Sequence, residues 1–298
     1  MTGTSRRGWF RRLLSISTGR FGLAVVLLVL LTAAVSLVWT PFDPQQVDIP
    51  GRWAPPGWPH VLGTDASGRD ILSLLMAGAR TTVLVAVGAG VIATVIGIAL
   101  AALGALTTRW VRESVAVLVD VLIAFPVLLI AMMISSVWGG SLGVVIWSVG
   151  IGFGVNIARV TRPELRRVLH SDFVLAGRAS GLTPLQNLGI HLLPNVAPVF
   201  IVQLSWAMAV AVLAEAGLSY LGFGAPITEP SWGLLLAELQ SYITVHPLSV
   251  LWPGLAITVT VLGLNLLGDA LREATDPTLA RRDGAAREAR THVPEVVA

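Results

Sequence analysis

The chain of 298 residues has no cysteine and no lysine; all 20 of its basic residues are arginine. Without a thiol there is neither a thiolate nucleophile nor a cysteine-ligated zinc. Without lysine there is no Schiff-base amine, and no phosphate-binding loop of the Gly-x-x-x-x-Gly-Lys-Ser/Thr type. The five histidines, at positions 60, 170, 191, 246 and 292, form no HExxH or other metal-ligand spacing. Charge is scarce as well. Only 12% of residues are charged against 54% hydrophobic, and the mean hydropathy is +0.78. That is too little polar surface to clothe a soluble globule, so the composition reads as that of a membrane protein. The net charge of +3 does not mark a nucleic-acid binder, because the arginines follow the edges of apolar segments and form no single basic surface.

What is present is a series of apolar runs long enough to cross a hydrocarbon core of about 30 Å at 1.5 Å per helical residue. They are Phe21 to Trp39, Val83 to Leu106, Val115 to Val137, Leu142 to Ala158, Val196 to Gly217 and Val250 to Leu267. The first follows Arg6, Arg7, Arg11, Arg12 and Arg20 and exceeds the 7–15 apolar residues of a signal peptide, so it is read as an uncleaved anchor. Six spans with the amino terminus in the cytoplasm place seventeen arginines inside and only Arg52, Arg69 and Arg80 outside. That bias predicts both termini cytoplasmic. Trp39, Trp110, Trp138 and Trp252 fall near span ends, where amphipathic rings suit the headgroup layer. Gly88, Gly90, Gly97 and Gly104 predict close helix approach along the second span, and Pro126 a kink in the third.

The resulting division is a basic cytoplasmic segment 1–20, the first span 21–39, an extracytoplasmic segment 40–81, a five-helix core 82–275 and a polar cytoplasmic tail 276–298. Within the core, 159–195 is the longest cytoplasmic connection. Its pattern predicts one helix over Pro163 to Ala179, broken at Gly181. Thr183-Pro184-Leu185-Gln186 then supplies a capping box for a second short helix. On that helix Leu185, Leu188 and Leu192 share one face, while Asn187 and His191 are expected to face the cytoplasm. It is expected to end at Leu193-Pro194-Asn195.

The run Asp172 to Gly181, followed by His191-Leu192-Leu193-Pro194-Asn195, resembles the EAA loop of binding-protein-dependent ABC importer permeases, with matches at Ala176, Gly177, Arg178, Ala179, Gly181, Leu193 and Pro194. Leu175 stands where that pattern has Glu. Gly177 replaces the second Ala and is expected to loosen the elbow by about 1 kcal/mol. The resemblance implies a coupling helix seated on an ATPase subunit, formed from these residues with Thr183, Pro184 and His191.

Gly63-Thr64-Asp65, then Gly68-Arg69-Asp70, resembles the GTDxxGRD element of the dipeptide and oligopeptide branch of that family. Its two glycines permit tight turns, and Asp65, Arg69 and Asp70 can form a salt-bridged knot. Glu215 to Gly224 and Pro230-Ser231-Trp232-Gly233 are similar to the branch's ELSFLGLG and PSWG stretches. They are expected to be external and irregular, with Glu215 and Trp232 as candidate pathway or docking residues. Asn265 to Pro277 resembles the family's NLLGDxLRDxLDP ending, in which Asp269 and Arg272 can pair. The likeness runs over roughly residues 20 to 280.

The resemblance implies an all-α polytopic membrane protein with six transmembrane helices, the type I ABC importer permease fold and a cytoplasmic coupling helix. It implies no catalytic residue, metal or cofactor in this chain, with ATP and magnesium on partner subunits. The expected partners are a homologous second permease, two ATPase subunits or domains, an extracytoplasmic solute-binding protein and the lipid of a bacterial inner membrane. The expected cargo is dipeptides or oligopeptides, or nickel. A self-contained secondary transporter or channel is the rival reading. It calls for buried ionisable residues and inverted repeats, neither of which is evident in the sequence.

Overall fold

The computed structural model describes residues 12–275 and is helical. Its long helices are α1 (Ser17–Ser36), α2 (Ile71–Leu106), α5 (Leu142–Leu169), α8 (Leu193–Tyr220) and α10 (Pro247–Thr275); between them lie α3 (Arg109–Ile123), α4 (Val127–Trp138), α6 (Asp172–Ala179), α7 (Pro184–Asn187) and α9 (Trp232–Gln240). Five helices are long and apolar enough to cross a bilayer, and α3 with α4 makes a sixth as one broken span. The expected kink at Pro126 is thus a full break. The two halves meet at 77°, and neither, at 15 and 12 residues, could cross alone.

The centre of the bundle is the α2–α5 contact, a parallel pair in which each helix offers glycines to the other's isoleucines. A Cβ on Gly88 would stand 3.1 Å from Ile146, and one on Gly97 2.8 Å from Ile157; in the other direction Gly150 meets Ile92 and Gly154 meets Ile96, both at 2.7 Å. Two cylinders can approach this closely only where one of each facing pair lacks a side chain, and in lipid that van der Waals fit is the main source of helix association. Gly90 serves a different neighbour, lying under Leu204 and Met208 of α8, and Gly104 is the loosest of the four, 3.8 Å from Arg162.

Two boundaries differ from those expected. Pro163 does not begin a helix; it lies inside α5, which continues eleven residues past Ala158 to Leu169 before α6 starts afresh at Asp172. Nor does the chain break at Pro194. A π-turn over Leu188–Leu192 leads directly into α8, with Pro194 in its first turn where a missing N–H costs nothing. The stretch expected to be irregular also contains a helix that its glycine and proline content hid, α9, capped by Ser231. Trp39, Trp110 and Trp138 are exposed near helix ends, as headgroup anchors would be. The arginines before residue 12, Asp276, Pro277 and the tail 276–298 lie outside the described residues.

α1 is held to the bundle by α10. A Cβ on Gly22 would lie 2.7 Å from both the Gly263 carbonyl and the Leu267 amide, and one on Gly263 would lie 2.5 Å from Val25. Gly22→Leu should therefore overpack the seam and cost about 1–3 kcal/mol. The check is a lower thermal-unfolding midpoint of the detergent-purified chain, whereas Leu28→Ala, on the exposed side of α1, should leave the midpoint within error.

Candidate functional site

At one end of the bundle the connection 159–195 folds into an elbow. α6 closes with a Schellman motif: Leu182 N–H donates to the Gly177 carbonyl (3.1 Å) and Gly181 N–H to that of Arg178 (3.0 Å), with Gly181 at φ +88°. Thr183 and Gln186 complete the expected capping box, the backbone N–H of each donating to the other's side-chain oxygen, at 2.9 Å from Thr183 and 3.3 Å from Gln186.

Behind this turn Val174, Leu188 and Leu192 are buried against Leu165 and Val168 of α5, Ala101 of α2 and Val196 of α8. The outer side leaves Phe173, Leu175, Leu185 and Ile190 in the open, from 44 to 76% exposed. Ala176, Arg178, Ala179, Pro184 and Pro194 are likewise exposed, while His191 and Leu193 are half-buried and the His191 ring lies 5.9 Å from Phe173.

Three expectations change here. Asn187 does not face outward; it is buried, and its amide reaches the Leu182 carbonyl at 3.5 Å. Gly177 does not loosen the elbow but closes it. A Cβ there would sit 2.8 Å from Asn187 Oδ1, 3.1 Å from Leu182 and 3.3 Å from His191, so glycine is what lets the two arms touch. Leu185, placed on the same face as Leu188 and Leu192 by its spacing, is in fact exposed.

At the opposite end the 40–70 segment forms a hydrogen-bonded knot. Asp65 Oδ1 accepts from the backbone of Ser67 and Arg69, and its Oδ2 takes Arg69 Nε at 2.6 Å. Arg69 Nη2 continues to Glu238 Oε2 at 2.5 Å, pinning the knot to α9. Burial disfavours the Arg69 charge, but Asp65 and Glu238 more than offset this and hold the guanidinium above its ordinary pKa. Thr64 Oγ1 donates to the Gly51 carbonyl and accepts from Ala54 N–H.

Asp70 departs from the expected knot. Instead of pairing with Arg69 it caps α2 through Ser73 N–H (2.8 Å) and meets His60 Nδ1 at 3.0 Å. Both glycines are needed. Gly63 (φ +82°) and Gly68 (φ +78°) would place a Cβ 2.6 Å from the Ala54 carbonyl and 1.8 Å from that of Asp48.

Glu215 and Trp232 prove to be inward-facing, which removes them as docking residues in this conformation. Glu215 is fully buried near the end of α8; its Oε1 accepts from Ser219 Oγ and Ser231 Oγ, both at 2.7 Å. Ser219 in turn accepts from Ala225 N–H, and Ser231 from the first amides of α9. The carboxylate thus nails both ends of the 221–231 strap to α8.

The neighbouring residues of the Pro230 to Gly233 run act in the same way. The Pro230 carbonyl accepts from Thr81, Trp232 Nε1 donates to the Leu75 carbonyl, and Gly233 leaves no room for a Cβ, which would lie 2.1 Å from the Ala216 carbonyl. Ser219, Ser231 and Glu238 were not singled out from the sequence. The only available signal was their neighbourhood to Glu215 and Trp232. Glu215→Ala should leave two buried hydroxyls without their acceptor and cost about 1–3 kcal/mol, with Glu215→Gln losing less. The check is the thermal-unfolding midpoint of the purified full chain.

The sequence model of the family described as the binding-protein-dependent transport system inner membrane component matches residues 93–281. A protein of Brucella suis biovar 1 named as a peptide transport system permease is 34% identical over 272 residues, 90% of each chain. The nickel transport system permease protein NikC of Escherichia coli K12 is 32% identical over 260 residues, 87% of this chain and 94% of that protein. Among solved structures, a chain of the inward-facing MetNI methionine ABC transporter matches with a TM-score of 0.56 at 20% identity, covering 69% of this chain and 98% of that one. Family match and bundle agree: the chain belongs to the binding-protein-dependent transport system inner membrane components, multi-pass proteins of the type I ABC importer permease fold.

Proposed function

We propose that this chain forms half of a peptide translocation pathway, receives cargo from an extracytoplasmic binding protein, and is driven through its elbow by separate ATPase subunits. The observation that carries the reading is the elbow's two-sidedness. Its inner face is fixed into the bundle by Val174, Leu188 and Leu192, while Phe173, Leu175, Leu185 and Ile190 are held open on a rigid, capped turn. An apolar surface presented this way suits a partner's groove, and aromatic and aliphatic anchors of this kind dominate interface energetics. Because the π-turn runs into α8 without a loop, a push on the elbow is delivered along that helix to Glu215 and the strap at its other end.

Peptide cargo is supported by the name of the Brucella suis relative, and nickel is the second reading, supported by NikC. Both termini are assigned to the cytoplasm on the arginine bias, which puts the elbow inside and the Asp65–Arg69 knot outside. A second permease is supported by α3 and α4, which bury only Val119, Ala131 and Ser135 within the single chain. Hydrolysis of ATP falls to the partners, since this chain has no lysine for a phosphate loop.

Two outcomes are expected. Leu185→Glu, at a 76% exposed position, should leave folding intact but abolish co-purification of the ATPase subunit and cargo-stimulated ATP hydrolysis. Retention of both would remove the coupling assignment. The chain has no native cysteine, so single replacements report topology without background. Trp58→Cys should react with a membrane-impermeant maleimide on intact inner-membrane-exposed cells, and Ser180→Cys only after permeabilisation.

A further inference from the structure

The elbow and the external knot leave one cluster of charge without a role. Arg112 lies in the first turn of α3, which packs on both α2 and α5, and Arg162 and Arg166 lie one turn apart on the extension of α5 past Ala158; the charges of Arg162 and Arg112 both reach Arg166. All three are half-buried. The acids nearest in sequence are engaged elsewhere, Glu113 with Arg109 at 2.7 Å and Glu164 with Arg167 at 2.5 Å. None of the three arginines has an ion pair among the described residues. Arg162 Nε is buried with no hydrogen-bond partner, its side chain lying against Gly104 of α2. Three guanidinium groups gathered from two helices over a third, with a buried donor unanswered, repel one another unless an anion lies between them.

Depth selects the anion. From Leu142 at the outer start of α5, 1.5 Å per residue brings Arg162 to about 30 Å, the far edge of the hydrocarbon. Arg166 lies one turn further out, and next to Arg112 the Trp110 ring is 82% exposed, as an interfacial anchor would be. We infer that Arg112, Arg162 and Arg166 form a site for the phosphate group of an anionic inner-leaflet phospholipid, where the ends of α2 and α3 meet the stretch of α5 whose Leu165 and Val168 carry the elbow. Basic pockets between transmembrane helices on the cytoplasmic side are the setting in which such headgroups bind. Guanidinium is the group best shaped to hold a phosphate by paired hydrogen bonds. The bound lipid would tie the broken span to α5 close to where the elbow is pushed. This rests on the orientation proposed above, which the cysteine-labelling experiment tests independently.

The test measures unfolding temperature of the purified full-length chain in neutral detergent with added phosphatidylglycerol, phosphatidylcholine or inorganic phosphate. Phosphatidylglycerol should raise it by several degrees for the native chain and for Arg159→Gln, an exposed arginine outside the cluster, while phosphatidylcholine and inorganic phosphate should not. The triple replacement Arg112→Gln, Arg162→Gln, Arg166→Gln should lose most of that rise. If the triple variant does not fold, Arg112→Gln alone should need severalfold more phosphatidylglycerol for half of the effect. An unchanged response in these variants would overturn the site. An equal rise with inorganic phosphate would replace the lipid by a soluble anion. Loss of ATPase-subunit binding with an unchanged lipid response would assign the cluster to a protein carboxylate and overturn the lipid assignment.

Discussion

The structure depends on how closely α2 and α5 can approach. In a bilayer no hydrophobic force drives helices together, because lipid tails are as apolar as leucine; the gain comes from fit. Gly88, Gly97, Gly150 and Gly154, each opposite an isoleucine of the other helix, provide that fit along most of the pair's shared length. The other elements are arranged around this seam. α8 packs across both helices, α10 against α8 and α1 against α10. The broken span lies on α5, where Val127 fills the notch at Gly152.

A rigid centre gives the two polar ends a common frame. The elbow is built into α2, α5 and the start of α8 through Leu165, Val174, Leu192 and Val196, and the strap is built into the far end of α8 through Glu215. A burial this complete for a carboxylate would be costly without the two serine donors, and the arrangement makes the strap's position depend on α8. The elbow and the strap are therefore ends of one helix, about 42 Å apart along its 28 residues. Force applied at one end has a direct route to the other.

Much of this was legible in the sequence, because membrane physics leaves few choices. Uninterrupted apolar runs mark the spans, and the Thr183–Gln186 box and Gly181 mark the turn of the elbow. What was not legible depended on contacts between segments distant in the chain. Gly177 looked like a weakened alanine until Asn187 and His191 were seen against it. Asp70 looked like a partner for Arg69, but Glu238, 169 residues away, takes that place and frees Asp70 to cap α2. Pro163 and Pro194 looked like boundaries; one is absorbed within α5 and the other in the first turn of α8 after a π-turn. Helix α9 was hidden because Ser231, Trp232 and Gly233 owe their helical start to docking on Glu215, Leu75 and Ala216.

In the proposed cycle, work enters this chain from outside it, through the elbow. The most direct measurement is uptake of a labelled peptide into vesicles holding the chain with its co-expressed permease, ATPase and binding-protein partners, with ion gradients collapsed by ionophore. Uptake should require ATP and survive the ionophore. Uptake by vesicles holding this chain alone, driven by an ion gradient without ATP, would contradict it and return the chain to the class of self-contained secondary transporters.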